Sequence, residues 1–252
     1  MPRFHSDLRQ IPIAGLLESA GEYDLSNLSY PSGNIEESVS RLSRLLSMGV
    51  SHLACEKVGE RISPFLLGKG VRGVVFLGLL GGGLVAVKML RTDSAVPSME
   101  KEALMQTMAN SLGVGPRIIK HSTDMIVMEY VGGVNLDEFI ASKPESLGGV
   151  VWGVLNQCYV MDVNGLDHGQ LTDSSNHVIV QENIRPVIID FSHASNTRKT
   201  SNLTSFVSYL LRTVLEEHRE DREIHQTLRL YKERKTAHEF EQVRDRLLRL
   251  LR

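Results

Sequence analysis

The spacing of apolar residues along this chain changes several times, and each change marks a different kind of element. Ile35, Val39, Leu42 and Leu46 recur at helical intervals behind Asn34. Asn34 has the form of an N-cap with Glu37 at the third helical position, and Gly49 is a natural stop. From Phe65 the period shortens to that of strands. Residues 63–67 read as a first strand, 74–77 as a second, and 84–89 as its return partner across a glycine-rich turn at 79–83. Pro97 precedes a helix over 98–111 that Gly113 closes, and residues 118–120 and 125–130 make another hairpin. Beyond Gly132 and Gly133 the pattern is helical over 135–140 and 147–163. It gives two short strands at 177–180 and 186–189 and is helical again over 202–252, with Phe240, Val243, Leu247 and Leu251 as one apolar stripe.

This order predicts an α+β chain in three parts. Residues 1–62 form a helical extension, 63–131 a lobe with a small antiparallel sheet and one helix, and 132–252 a mainly helical lobe. Within the sheet region Gly68, Gly70 and Gly73 have the GxGxxG spacing of phosphate-binding loops. In dinucleotide-binding folds that loop opens a helix. Here Gly73 runs directly into Val74, Val75, Phe76 and Leu77, so the glycines sit at the bend of a β-hairpin. Glycine lets backbone approach phosphate oxygens that a Cβ would crowd, and its N–H groups can donate to them. The return strand carries Lys88 in the run VAVK. A lysine in a half-buried strand is costly without a partner, so a carboxylate should reach it, and Glu100 and Glu102 on the next helix are the candidates.

Composition narrows the picture only mildly. The 252 residues are 42% hydrophobic with a formal net charge of −2, enough for a core and without global attraction to nucleic acid or membrane. Cys55 and Cys158 stand in no metal or redox spacing and read as free structural thiols. No run reaches the roughly 18–20 apolar residues of a membrane span, and the first residues lack a signal peptide's apolar core; a cytoplasmic location is expected. Residues 227–252 carry eight basic and four acidic side chains. That surplus is read mainly as a solvated helix face, with RNA contact as the minor alternative.

Over residues 63–195 the chain resembles the protein-kinase-like superfamily, in particular its small atypical branches: the RIO kinases, the kinase associated with tRNA threonylcarbamoylation, and trimmed archaeal serine/threonine kinases. The resemblance rests on the glycine hairpin, VAVK, VMEYVGG at 127–133, HGQLT from His168, and Asp190-Phe191-Ser192. It implies a two-lobed fold that binds ATP and Mg²⁺. Val75 and Ala86 would sandwich adenine, Met128 would border the pocket, and Glu129 and Val131 would bond its edge. Lys88 would hold the α- and β-phosphates, with Glu102, eleven residues before Gly113, preferred over Glu100 as its partner. Asp190 would bind metal, helped by Asn176 or His177.

Two departures from that pattern bear on activity. The loop position after His168 and Gly169 that should carry a catalytic aspartate is Gln170, flanked by Asp167 and Asp173. Only about ten residues separate Ser192 from the helix near Asn202, too few for a long activation segment. The chain thus reads as an atypical serine/threonine protein kinase using Mg-ATP on an unidentified protein substrate. The alternative is an ATP-binding pseudokinase acting as a regulatory module.

Overall fold

The computed structural model describes residues 8–251. They fall into two compact units: residues 8–103 with Arg117–Tyr130, and Leu104–Pro116 with residues 131–251.

The first unit begins with β1 (Arg9–Pro12), α1 (Ile13–Glu18) and two 3-10 turns, then α2 (Ile35–Ser47). It continues through β2 (Val50–Val58), β3 (Arg61–Pro64), β4 (Leu66–Lys69), β5 (Gly73–Leu80) and β6 (Gly83–Leu90). The start of α3 (Glu100–Ser111), β7 (Ile118–His121) and β8 (Met125–Glu129) complete it. All eight strands join one antiparallel sheet along the path β1-β2-β5-β6-β8-β7, with β3 beside β2 and β4 beside β5. The β5–β6 hairpin turns through Gly81 and Gly82, at φ +59° and +82°. Two successive positive φ values are what a two-residue hairpin turn matching strand twist demands, and glycine supplies them without Cβ strain.

Alternation along these strands gives the sheet two buried faces. Val74, Phe76, Val85, Val87, Met89, Met125 and Val127 pack with Ile13, Leu16, Leu28, Leu42 and Leu45 of the N-terminal segment. The opposite face gathers Ala86, Leu90, Ile126 and Met128 with Met99 and Ala103 at the start of α3.

The segment expected to be a helical extension carries α1 and α2, and in addition β1, β2 and the first half of β3. The sheet is larger than expected because β2 pairs with β5, Val50 facing Leu80 far outside any local window of periodicity, as well as with β3 across a tight turn. In α2, Asn34 caps by accepting the Glu37 N–H at 2.9 Å. The Glu37 carboxylate does not return the bond; it takes Arg41 Nε at 2.7 Å and Arg44 at 3.1 Å. The buried stripe is Ser38, Arg41, Leu42 and Leu45, whereas Ile35 and Leu46 are exposed. The predicted face is therefore rotated, because Ser38 and Arg41 find internal acceptors in the carbonyls of Leu25 and Leu28.

The second unit holds the remainder of α3, then β9 (Val134–Asn135), α4 (Leu136–Ser142), α5 (Leu147–Val163), β10 (Val178–Val180) and β11 (Pro186–Ile188). Three helices follow: α6 (Asn202–Thr213), α7 (Arg222–Arg234) and α8 (Ala237–Leu250). β9, β10 and β11 form a small antiparallel sheet with β10 central. Helix α5 is apolar on most sides and is the core element, with Val150, Val151, Val154, Leu155, Cys158 and Met161 fully buried. Phe240, Val243 and Leu247 of α8 are buried, and Phe240 stacks on Tyr159 at 4.4 Å between ring centroids. The basic residues of α7 and α8 are largely ion-paired, Arg234 with Glu239 at 3.0 Å and Arg246 with Glu223 at 2.9 Å among them. Burial pushes the Cys55 thiol up to about 12 and Cys158 well above its ordinary value, so both are inert core thiols. Among the described residues no helix is long and apolar enough to cross a membrane.

Candidate functional site

In the first unit, the glycine loop spans the three residues between β4 and β5, closed below by Lys69 opposite Val74. Gly70 N–H donates to the Gly73 carbonyl at 2.8 Å. The three glycines serve different ends. A Cβ at Gly73 would fall 2.9 Å from the Met89 carbonyl and 3.3 Å from Cε of Lys88, so this glycine makes room for the lysine stem. A Cβ at Gly68 would meet nothing within 4 Å, which leaves open space beside the loop.

The loop is braced by the N-terminal segment. Lys69 Nζ lies 3.3 Å from the centroid of the Tyr30 ring and the Arg91 guanidinium 4.8 Å from it. Arg91 also donates to the Gly70 carbonyl at 3.1 Å, and its own N–H to the Arg72 carbonyl at 3.0 Å. The β4 stem of the loop, through Lys69, and the residue that follows β6, Arg91, are thus both set against one aromatic ring.

Lys88 sits in β6 between Val75 on β5 and Ile126 on β8. Its Nζ lies 2.5 Å from Glu102 Oε1, and both side chains are buried. Glu100 is exposed. Helical spacing separates the two, because Met99, Glu102, Ala103 and Gln106 share the buried side of α3 and Glu100 is turned away from it. On the same sheet face as Lys88, Val75, Ala86 and Met128 join one apolar cluster. Glu129 closes β8 and donates its N–H to the Arg117 carbonyl at 2.9 Å; Val131 follows in the coil that opens the second unit.

In the second unit, β11 ends at Ile188 and Asp190 follows two residues later with φ +65°, a left-handed conformation uncommon for a residue with a Cβ. Its Oδ1 accepts the Ser192 N–H at 3.1 Å. The β10–β11 register pairs Val178 with Ile188, and the Ile189 N–H continues it to the His177 carbonyl at 2.9 Å. One further step places Asn176 opposite Asp190. Asn176 is exposed, its amide donating to Asp173 at 2.9 Å. His177 points the other way: it is buried, with its ring edge-on to His168 at 5.4 Å.

His168 is a buried post. Its backbone N–H donates to Asn202 Oδ1 at 2.7 Å, and Nε2 lies 3.0 Å from the Ile189 carbonyl. Burial pushes its pKa down to about 4, outweighing the carbonyl bond that favours the cation, so the neutral ring donates from Nε2. Phe191 packs edge-on against it at 5.2 Å. Asp167 is equally committed, taking Arg198 Nε at 2.6 Å and the Ser201 N–H at 2.8 Å. Asn202 reaches back through Asp162, a buried carboxylate that also accepts from Leu203 N–H and the Tyr231 hydroxyl.

Gln170 is half-buried, and its Oε1 lies 2.7 Å from His193 Nδ1. Sequence reasoning missed His193, Arg198, Asn202 and Tyr30. Only His193 had a local signal, its place directly after Asp190-Phe191-Ser192; the others act through partners more than thirty residues away in the chain. Among the described residues no group of three or more His, Cys, Asp or Glu side chains could hold a metal ion by itself.

A family model described as a RIO domain matches residues 87–220, a little over half of the chain. The match begins at Val87, beside Lys88, and runs through His168, Asp190 and helix α6. Comparison with curated proteins returns no match.

Proposed function

The chain belongs to the RIO family of atypical, protein-kinase-like domains, and on that premise we propose that it is a serine/threonine protein kinase that uses Mg-ATP. The observation that carries this reading is the buried Lys88–Glu102 pair. Desolvating two charges costs about as much as their attraction returns, and apolar residues of like volume would stabilise the fold as well or better. An ammonium kept there at that expense has a task, and holding triphosphate oxygens is the task that fits a lysine beside a glycine hairpin.

The other residues divide the work. Gly68, Gly70 and Gly73 present backbone N–H groups to phosphates, while Val75, Ala86 and Met128 offer an apolar wall for a base. Glu129 and Val131 offer backbone groups for its edge. Asp190 and Asn176 would hold magnesium: a carboxylate and an amide oxygen are the hard donors that cation takes, and the buried imidazole of His177 is not. Magnesium, when bound, neutralises charge on the phosphates. His168 positions rather than reacts, tying the loop to the carbonyl that precedes Asp190.

Incubation of the full chain with labelled ATP and Mg²⁺ is expected to give autophosphorylation or ATP turnover. No signal above that of a Lys88→Ala, Asp190→Ala double mutant would sink the reading. Gln170, an amide where a carboxylate base belongs, favours a second reading, an ATP-binding regulatory module. Stabilisation by ATP of a few kcal/mol at saturation, without turnover, would select it.

A further inference from the structure

A hydroxyl on α7 is joined by three buried hydrogen bonds to the backbone of the loop that carries Gln170. Tyr231 is buried and donates to Asp162 Oδ2 at 2.9 Å. Asp162, in the last turn of α5, caps the start of α6 from outside that helix. Its Oδ2 also takes the Leu203 N–H at 3.2 Å, and its Oδ1 takes the backbone N–H and the side-chain amide of Asn202, each at 2.9 Å. Backbone N–H groups at a helix start need outside acceptors, and the side chain of Ser201, the N-cap, offers none. An ionised carboxylate has about four lone-pair sites, and these four donors fill them. Burial pushes the Asp162 carboxyl above its ordinary value, while the bonds from Leu203, Tyr231 and Asn202 and the charge of Lys235 pull it back.

The next link has only one orientation. Asn202 Nδ2 donates to Asp162 and to the Leu166 carbonyl at 2.7 Å, so its Oδ1 is the atom turned to the His168 N–H, 2.7 Å away. A second tie runs alongside. Lys235, which follows α7 at φ +52°, donates from Nζ to Thr200 Oγ1, and that hydroxyl donates to the Asp162 carbonyl at 3.1 Å.

We propose that Tyr231 and Lys235 are positioning residues for the phosphotransfer proposed above; this rests on the kinase reading. Through Asp162 and Asn202, the end of α7 sets where the backbone of residues 168–170 stands. Neither side chain takes part in the chemistry. Tyr231, Asp162, Asn202 and His168 are all buried, so the bonds between them are not traded for water. Without the hydroxyl, one acceptor site of Asp162 is left unfilled, and the carboxylate turns to find another donor, taking Asn202 with it.

Two measurements on the full-length chain test this. Tyr231→Phe removes the hydroxyl and keeps the ring that packs against Tyr159. In the free protein it should quicken amide hydrogen exchange at His168 about tenfold, and by more than at the α5 amides. Lys235→Met should act in the same direction and Lys235→Arg should stay near the unsubstituted chain, a second pair that serves if Tyr231→Phe folds poorly. In labelled-ATP turnover with Mg²⁺, Tyr231→Phe should lower kcat about tenfold, short of the roughly 10² that a misplacement of about 1 Å can cost, with the KM for ATP within about twofold. Asn202→Ala cuts the relay downstream, so adding Tyr231→Phe to it should change kcat less than about twofold. Losses that multiply in the double variant, or exchange at His168 that quickens no more than in α5, overturn the relay and leave the kinase reading standing. No turnover by the unsubstituted chain overturns the kinase reading and the role in phosphotransfer with it, while exchange at His168 still decides whether α7 holds the loop.

Discussion

Lys88 and Glu102 lie 2.5 Å apart, with side chains only 7% and 8% exposed, inside an otherwise apolar cluster of Ala86, Leu90, Met99, Ala103, Ile126 and Met128. Removing one charge takes from the other its partner at 2.5 Å. Glu102→Gln should cost about 3–5 kcal/mol in urea unfolding. The double variant Lys88→Met, Glu102→Leu should lie within about 1 kcal/mol of the unsubstituted protein or above it, while losing ATP-dependent stabilisation. A double variant as unstable as the single one would mean the pair is needed for folding and would remove the functional argument from it.

Asp190 is held with φ +65° by the Ser192 N–H. If its carboxylate and Asn176 take magnesium, Asp190→Asn should erase the difference in ATP-induced melting shift between Mg²⁺ and EDTA and leave the metal-free shift intact. Asn176→Ala should reduce the difference partway and His177→Phe should not touch it. Isothermal titration with an ATP analogue, with and without Mg²⁺, reads the same quantities. An effect confined to His177 would reverse the assignment.

Much of this was legible in the chain because its signals are local. The glycine hairpin, the return strand with Lys88, helix α5 and the α8 stripe each rest on a pattern within about twenty residues. Periodicity located the return strand within a residue at each end and α5 to the residue, whereas β5 runs three residues beyond the expected strand. What stayed hidden depends on distant pairing. β2 is a strand in the sheet because β5 recruits it, Val50 facing Leu80, and α2 buries Arg41 because the Leu28 carbonyl is waiting for it. The choice between Glu100 and Glu102 followed from the phase of α3, which needed its buried face to be known. The antiparallel register likewise separated Asn176 from His177, which no reading of residue types could do.

Tyr30 gives the N-terminal segment a direct hold on the glycine loop, with Lys69 and Arg91 both against its ring. Each cation contact of this kind is worth about 0.5–1 kcal/mol near a surface. Tyr30→Leu should therefore speed amide exchange at residues 70–73 and raise the KM for ATP about three- to tenfold, with little change in the midpoint of global unfolding. Tyr30→Phe keeps the ring and should stay near the starting values. Equal effects of the two would trace the hold to the hydroxyl rather than the ring.

His168 supplies a pH dependence whose sign is fixed by its burial. Its pKa is about 4 in the folded chain, with desolvation the largest cause, against an ordinary value near 6.5 once unfolded. Between those values the unfolded chain binds a proton that the folded chain refuses, so stability rises with pH across this window. The contribution is complete above about pH 6.5 and is lost as the pH falls toward 4, with an upper limit on the order of 3 kcal/mol. His168→Phe keeps a ring against Phe191 but forfeits the bond to the Ile189 carbonyl and the titration together. At pH 8 it should be less stable than the unsubstituted protein by about 1 kcal/mol. On acidification toward pH 4.5 that gap should close and then reverse. Urea midpoints at half-unit pH intervals would show it, and a gap that stays constant would mean that His168 takes up its proton at the same pH in the folded and the unfolded chain.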